Sequence, residues 1–84
     1  MGNEEIGVGD VVYFESFSDS GDYYQLLSRG TGIVFSKEEL MTGGELYIIQ
    51  YINKDGEADS AAVCVGNTSY PADTVRLLKE LIGD

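Results

Sequence analysis

Asp55, Glu57 and Asp59 alternate along the chain, and on a strand alternate side chains share one face. Three carboxylates on one face could hold a hard cation such as Ca²⁺. The segment departs from the twelve-residue calcium loop, because its glycine is misplaced and no Glu stands at the last position. A solvated hairpin tip, with Asp55 drawn into the turn, is the better reading. Asp19 and Asp22, which flank Ser20-Gly21, pose the same question, and an acidic loop answers it equally well. Gly30-Thr31-Gly32 follows Arg29 and invites comparison with a phosphate cradle. It lacks the Gly-Lys-Ser/Thr of a nucleotide loop and the spacing of a dinucleotide site, so a bend in a strand is the plainer account. The chain has no His, which removes the commonest general base and transition-metal ligand. Its one Cys, Cys64, lies in the apolar run Ala61-Ala62-Val63-Cys64-Val65 and reads as a buried, inert thiol. Carboxylates alone can still perform acid–base work, but no pair of them is placed in an expected cleft. The expectation is no enzyme, no metal and no cofactor.

The elements that must position these residues are short. Eighty-four residues make one domain, residues 1–84, with a modest core. Gly7-Val8-Gly9-Asp10 reads as a turn and 11–14 as a strand, β-branched and aromatic. Residues 16–22 read as a polar loop. Residues 23–28 are extended, Gly30-Thr31-Gly32 interrupts them, and Ile33-Val34-Phe35 resumes the strand. Residues 37–41 read as a loop ended by Gly43-Gly44. The strongest strand signal is 46–52, followed by a hairpin turn at Asp55-Gly56, where glycine supplies positive φ cheaply. Residues 58–65 return as the paired strand. Pro71 suits the first position of a helix, and Val75, Leu78 and Ile82 would share one face of it up to Gly83. The pattern predicts four or five short strands closed by a short C-terminal helix, in a barrel that hides its strand edges.

Gly7-Val8-Gly9-Asp10-Val11-Val12 and Gly30-Thr31-Gly32-Ile33-Val34 resemble the opening strand and the bent second strand of the SH3-like small β-barrel group, which includes KOW- and Tudor-type domains. The segment from Pro71 to Leu78 resembles the helical turn that closes such barrels. The resemblance covers most of the chain at the level of pattern. It implies a mainly β fold, a small SH3-like barrel. KOW-type domains that bind RNA are typically basic, and this chain is not.

Charge speaks more directly to partners. Fifteen Asp and Glu face five Lys and Arg, a formal charge of −10. Such a field repels phosphate, so direct nucleic-acid binding is not expected. No Lys or Arg precedes Arg29, so Glu15, Asp19 and Asp22 are the expected densest part of an acidic surface for a basic partner; plain solubility explains the same charge. The chain carries no apolar run long enough to span a bilayer and no basic start to a signal peptide, so it is expected to be cytoplasmic. Along 46–53 one strand face is Leu46, Ile48, Gln50 and Ile52, and the other is Tyr47, Ile49, Tyr51 and Asn53. A barrel strand buries one face only. The Tyr47/Ile49/Tyr51 face is therefore either covered within the chain or open to a partner or a second copy. Tyr13, Tyr23 and Tyr24 beside acids could form a cage for a methylated ammonium, although ordinary packing accounts for them.

Three functions compete. The first is a non-catalytic acidic interaction protein that engages a basic protein surface. In its sharper form the partner binds nucleic acid and the carboxylates imitate phosphates. Small acidic proteins of this sort resemble phage or mobile-element inhibitors. The second is an SH3- or Tudor-like peptide-binding module. The third is a structural subunit of a larger assembly such as a virion.

Overall fold

From residue 11 onward Val, Ile, Tyr and Phe gather in short runs, and β-branched and aromatic residues favour strands. The computed structural model describes residues 6–19, 23–67 and 72–81. Its strands are β1 (Val11–Asp19), β2 (Tyr24–Glu39), β3 (Glu45–Ile52), β4 (Ala58–Val65) and β5 (Thr74–Leu77), followed by one turn of helix, α1 (Leu78–Leu81). They form a single antiparallel sheet in the order β4-β3-β2-β1-β5.

The sheet curls, so one face encloses the core. Val12 and Phe14 of β1, Val34 of β2, Tyr47 and Ile49 of β3, Ala61 and Val63 of β4, and Val75 and Leu77 of β5 form one buried cluster. Gly30 and Gly32 stand opposite Phe14 and Val12, on this inner face. There the Phe14 and Tyr51 rings meet edge to face at 5.0 Å. A Cβ on Gly32 would run into the Gln50 carbonyl and come within 2.8 Å of Ile49 Cγ2. Glycine at 32 thus allows β2 and β3 to approach, and β2 passes through residues 30–32 without a break. The irregularities sit elsewhere: the register shifts leave Leu27 extra against β1 and Phe35 extra against β3. These bulges bend the strand.

The barrel expected from sequence is not closed. β4 and β5 are the two edges of the sheet, with no ladder between them. Side chains span the gap instead. Asp73, 6% exposed, accepts from the Phe17 N–H of β1 at 2.8 Å and from the Cys64 N–H of β4 at 3.1 Å. The Ser16 hydroxyl donates to the Ala62 carbonyl at 3.4 Å.

The expected closing helix is not seen either. Residues 74–77 form strand β5 on the free edge of β1, and only the single turn α1 follows. Thr74 and Arg76 turn outward while Val75 and Leu77 are buried, a period of two that overrides the helical spacing. Pro71, Ile82 and Gly83, on which that helix was read, lie outside the described residues. β1 also runs further than expected: residues 16–19 are strand, not loop, and residues 37–39 belong to β2.

Two of the turns among the described residues are built by side chains and glycines. Asn53 Oδ1 accepts from the Asp55 and Glu57 N–H groups at 2.9 and 3.0 Å, and Gly56 has φ of 80°. Asn67, 5% exposed, donates through Nδ2 to Thr42 Oγ1 at 3.0 Å and to the Gly43 carbonyl at 2.7 Å. This ties the β2–β3 turn to the end of β4.

Candidate interaction surfaces

The phase of β3 decides which aromatic face is open. Tyr47 pairs with Val63 and Ile49 with Ala61, both core positions. Tyr47 is 4% exposed, Ile49 is fully buried, and Tyr51 packs half-buried against the cluster. The Tyr47/Ile49/Tyr51 face is therefore the inside of the sheet, and it offers no open surface to a partner or a second copy. Tyr47 is held further by its hydroxyl, which donates to Glu45 Oε1 at 3.0 Å. Lys37 Nζ stands 5.8 Å over its ring, 3.4 Å from Glu45 Oε2, and donates to the Ile6 carbonyl at 2.7 Å.

Among the expected acidic residues, Glu15 is placed directly opposite Arg29 on β2. Its Oε2 accepts from the Tyr13 hydroxyl at 3.0 Å. The first cation of the sequence thus stands across the ladder from Glu15. Desolvation pushes the Tyr13 phenol above its ordinary value, and Glu15 adds to the shift while Arg29 opposes it. Asp19 stands opposite Tyr24 in register; its side chain and Asp22 lie outside the described residues. The N-terminal acids have equals elsewhere. Glu38, Glu39 and Glu45 gather at the far end of the β2–β3 pair with Lys37, where Glu39 faces Glu45 directly. Asp55, Glu57 and Asp59 follow Lys54 around the β3–β4 hairpin. Each of these two clusters holds three carboxylates and one cation, the same count that Glu15, Asp19, Asp22 and Arg29 give along the sequence. Sequence order conceals this equivalence, because antiparallel pairing brings distant charges together.

Among the described residues no group of three His, Cys, Asp or Glu is arranged to hold a metal ion. Asp59 uses Oδ1 to accept from the Ser60 N–H at 2.8 Å. Tyr13 stands opposite Thr31 and Tyr24 opposite Asp19, which separates them by about 20 Å at the usual rise of a strand. The three tyrosines read as a possible cage do not converge. Cys64 is half-buried; burial and the nearby Asp73 carboxylate push its thiol above the ordinary 9.0. No helix of the described residues is long and apolar enough to cross a membrane.

Three polar groups on the free edge of β4 are used within the chain: the Ser60 N–H by Asp59, the Ala62 carbonyl by Ser16, and the Cys64 N–H by Asp73. This occupancy blunts an edge that could otherwise pair with another chain. Asp73 is the residue that sequence reasoning missed. An acid two places after a proline reads as helix-start chemistry, and nothing local shows that it reaches two other strands.

No family model matches this chain, and no curated protein or solved structure shows significant similarity to it.

Proposed function

We propose that this protein is a non-catalytic interaction protein whose carboxylates engage a basic protein surface, in the sharper form that of a nucleic-acid-binding protein. The carrying observation is arithmetic: if each of the five cations neutralised one of the fifteen carboxylates, ten would still have no cation from this chain. Nine of the fifteen fall in three groups along the chain, each with one cation and a net charge of −2, a spaced series of negative charges such as a phosphate backbone presents. The fold that displays them is read as an open member of the SH3-like group. That reading rests on Gly9-Asp10 leading into β1 and on the glycines at the centre of the bent β2.

The experiment is a capture of basic proteins on the immobilised chain at low and at high salt, followed by association kinetics with the captured partner. Three neutralised variants are compared: E15Q/D19N/D22N, E38Q/E39Q and D55N/E57Q. Charges at the rim of an interface act mainly on association rate. The contacting cluster is expected to be the one whose neutralisation slows association and flattens its salt dependence. Unchanged rates and unchanged salt dependence in all three variants would overturn the proposal and leave the charge as a solubility device.

A further inference from the structure

The cover over the free edge of β4 stops part-way along the strand. The Ser60 N–H, the Ala62 carbonyl and the Cys64 N–H all bond away from β3, whereas the Asn53 N–H bonds the Glu57 carbonyl on the β3 side. Even-numbered residues of β4 therefore aim their backbone groups at the edge, and odd-numbered ones at β3. Ser16 and Asp73 cover the stretch from the Ala62 carbonyl to the Cys64 N–H. Toward the hairpin, among the described residues, nothing takes the Ala58 N–H, the Ala58 and Ser60 carbonyls or the Ala62 N–H. The Ser60 N–H is held only by the side chain before it. Ala58, Ser60 and Ala62 are small and exposed, so another backbone can come close. Open N–H and C=O groups at strand spacing specify what pairs with them, a second extended backbone.

We infer that the edge at 58–62 takes up an extended segment of a partner protein as an added strand, one in which basic and apolar side chains alternate. The inference rests on the acidic-surface reading above and gives it a mode of contact. The alternation follows from the two sides of the edge. On one side Asp59 is exposed, opposite Tyr51, and Asp55 and Glu57 lead into it from the hairpin with Lys54 as the one cation of the segment 54–59. On the other side Ala58 and Ser60 border an open depression of about 650 Å³, lined also by Thr31, Ile33, Gln50 and Ile52. Successive side chains of an added strand point to opposite faces. Basic residues at every second position then meet the carboxylates, and the apolar residues between them lie beside the depression. A second copy of this chain does not supply such a strand. Its cations stand at 29, 37, 54, 76 and 79, never two residues apart, and it brings a further charge of −10 to the same edge.

The test is amide hydrogen exchange, read by NMR on the full labelled chain, with and without a capped heptapeptide of alternating Lys and Val. The Ala58 and Ala62 amides are expected to exchange readily in the free chain. They are expected to slow at least tenfold once the peptide exceeds its dissociation constant tenfold. The same peptide N-methylated at alternate residues keeps its charge but cannot complete a ladder, and is expected to give no protection. Ala62→Pro removes one edge N–H at a position where an edge strand tolerates proline. It is expected to weaken peptide binding about fivefold, the equivalent of one hydrogen bond, with the amides between β3 and β4 still protected. Absence of protection by the parent peptide overturns the inference, as does equal protection by the methylated one. Protection that grows with the concentration of the chain alone would give the edge to a second copy and overturns it too. An uncharged Thr-Val peptide that protects equally well overturns the basic character of the partner. Peptide that binds in a salt-dependent way without protecting Ala58 and Ala62 overturns the added strand and leaves the acidic-surface reading standing, so the two fail separately.

Discussion

Asp73 concentrates the fold's dependence on a single side chain. Its two oxygens satisfy two N–H groups on strands that no ladder connects. A charged acceptor makes such bonds roughly twice as strong as neutral ones, and removing it leaves both donors unmatched. Asp73→Ala is expected to cost about 2–6 kcal/mol in urea denaturation, the sum for two orphaned donors. Asp73→Asn keeps one acceptor and is expected to lose less. Equal stability of Asp73→Ala and the parent would show that the sheet holds its curl without the staple. The same carboxylate acts on Cys64. Because burial and Asp73 favour the neutral thiol, native Cys64 is expected to alkylate far more slowly than a free thiol at mildly alkaline pH, and to react at the ordinary rate once unfolded. The sign for stability follows. The folded thiol value lies above the unfolded one, so this contribution is fully present below pH 9 and is lost as pH rises through the folded value. The raised Tyr13 phenol extends the loss above pH 10. Urea midpoints that hold constant through this alkaline range would contradict both shifts.

At the level of elements, β2 is the strand that makes the others possible. It is paired along most of its length, to β1 on one side and β3 on the other. Gly32 allows the closest approach, so Gly32→Ala must displace the Gln50 backbone or Ile49, and overpacking of this kind costs about 1–3 kcal/mol or more. Gly56→Ala meets no neighbour and pays only for its positive φ, about 1–2 kcal/mol. Thermal melts of the two variants should therefore separate steric from conformational need, and a Gly32→Ala melt no lower than that of Gly56→Ala would deny the close approach. Both strands around the Asp55-Gly56 turn were legible in sequence, because 46–52 and 58–65 carry β-branched and apolar residues on each side of a strong turn signal. β5 was not. Val75, Leu78 and Ile82 fit a helical spacing, while Asp73, Val75 and Leu77 fit a strand; only the unpaired edge of β1 decides between them. Residues 16–19 were hidden by their polarity, since Ser16 faces inward to bond Ala62 and so looks like loop composition. The inner and outer faces of β3 are both apolar, so local sequence leaves them equivalent, and the curl of the whole sheet breaks the tie.

The whole molecule sets electrostatic self-repulsion against a small core. With a radius of gyration of 12.7 Å, its diameter is comparable to the Debye length of roughly 30 Å at 0.01 M salt and exceeds the roughly 10 Å of 0.1 M. At low salt every carboxylate cluster therefore senses the others; at moderate salt each senses only its neighbours. Two unit charges 20 Å apart in water repel by about 0.2 kcal/mol. Three clusters each holding a net two negative charges then repel by roughly 2–3 kcal/mol in total, part of which persists in the unfolded chain. Net screening is expected to stabilise the fold by about 1–2 kcal/mol, a rise in melting temperature of roughly 4–16 °C for a domain of this size. Local pairs such as Lys37 with Glu45, 3.4 Å apart, act in the opposite direction, but an exposed pair contributes only about 0–1 kcal/mol. Repulsion should win. Thermal melts in increasing sodium chloride measure the balance, and a combined variant neutralising Glu38, Glu39, Asp55 and Glu57 should show a higher melting temperature at low salt with a flatter salt dependence. A melting temperature that falls as salt is added would mean that local pairs dominate. The acids would then stabilise the fold in place, and the charge surplus would no longer stand as a cost retained for binding.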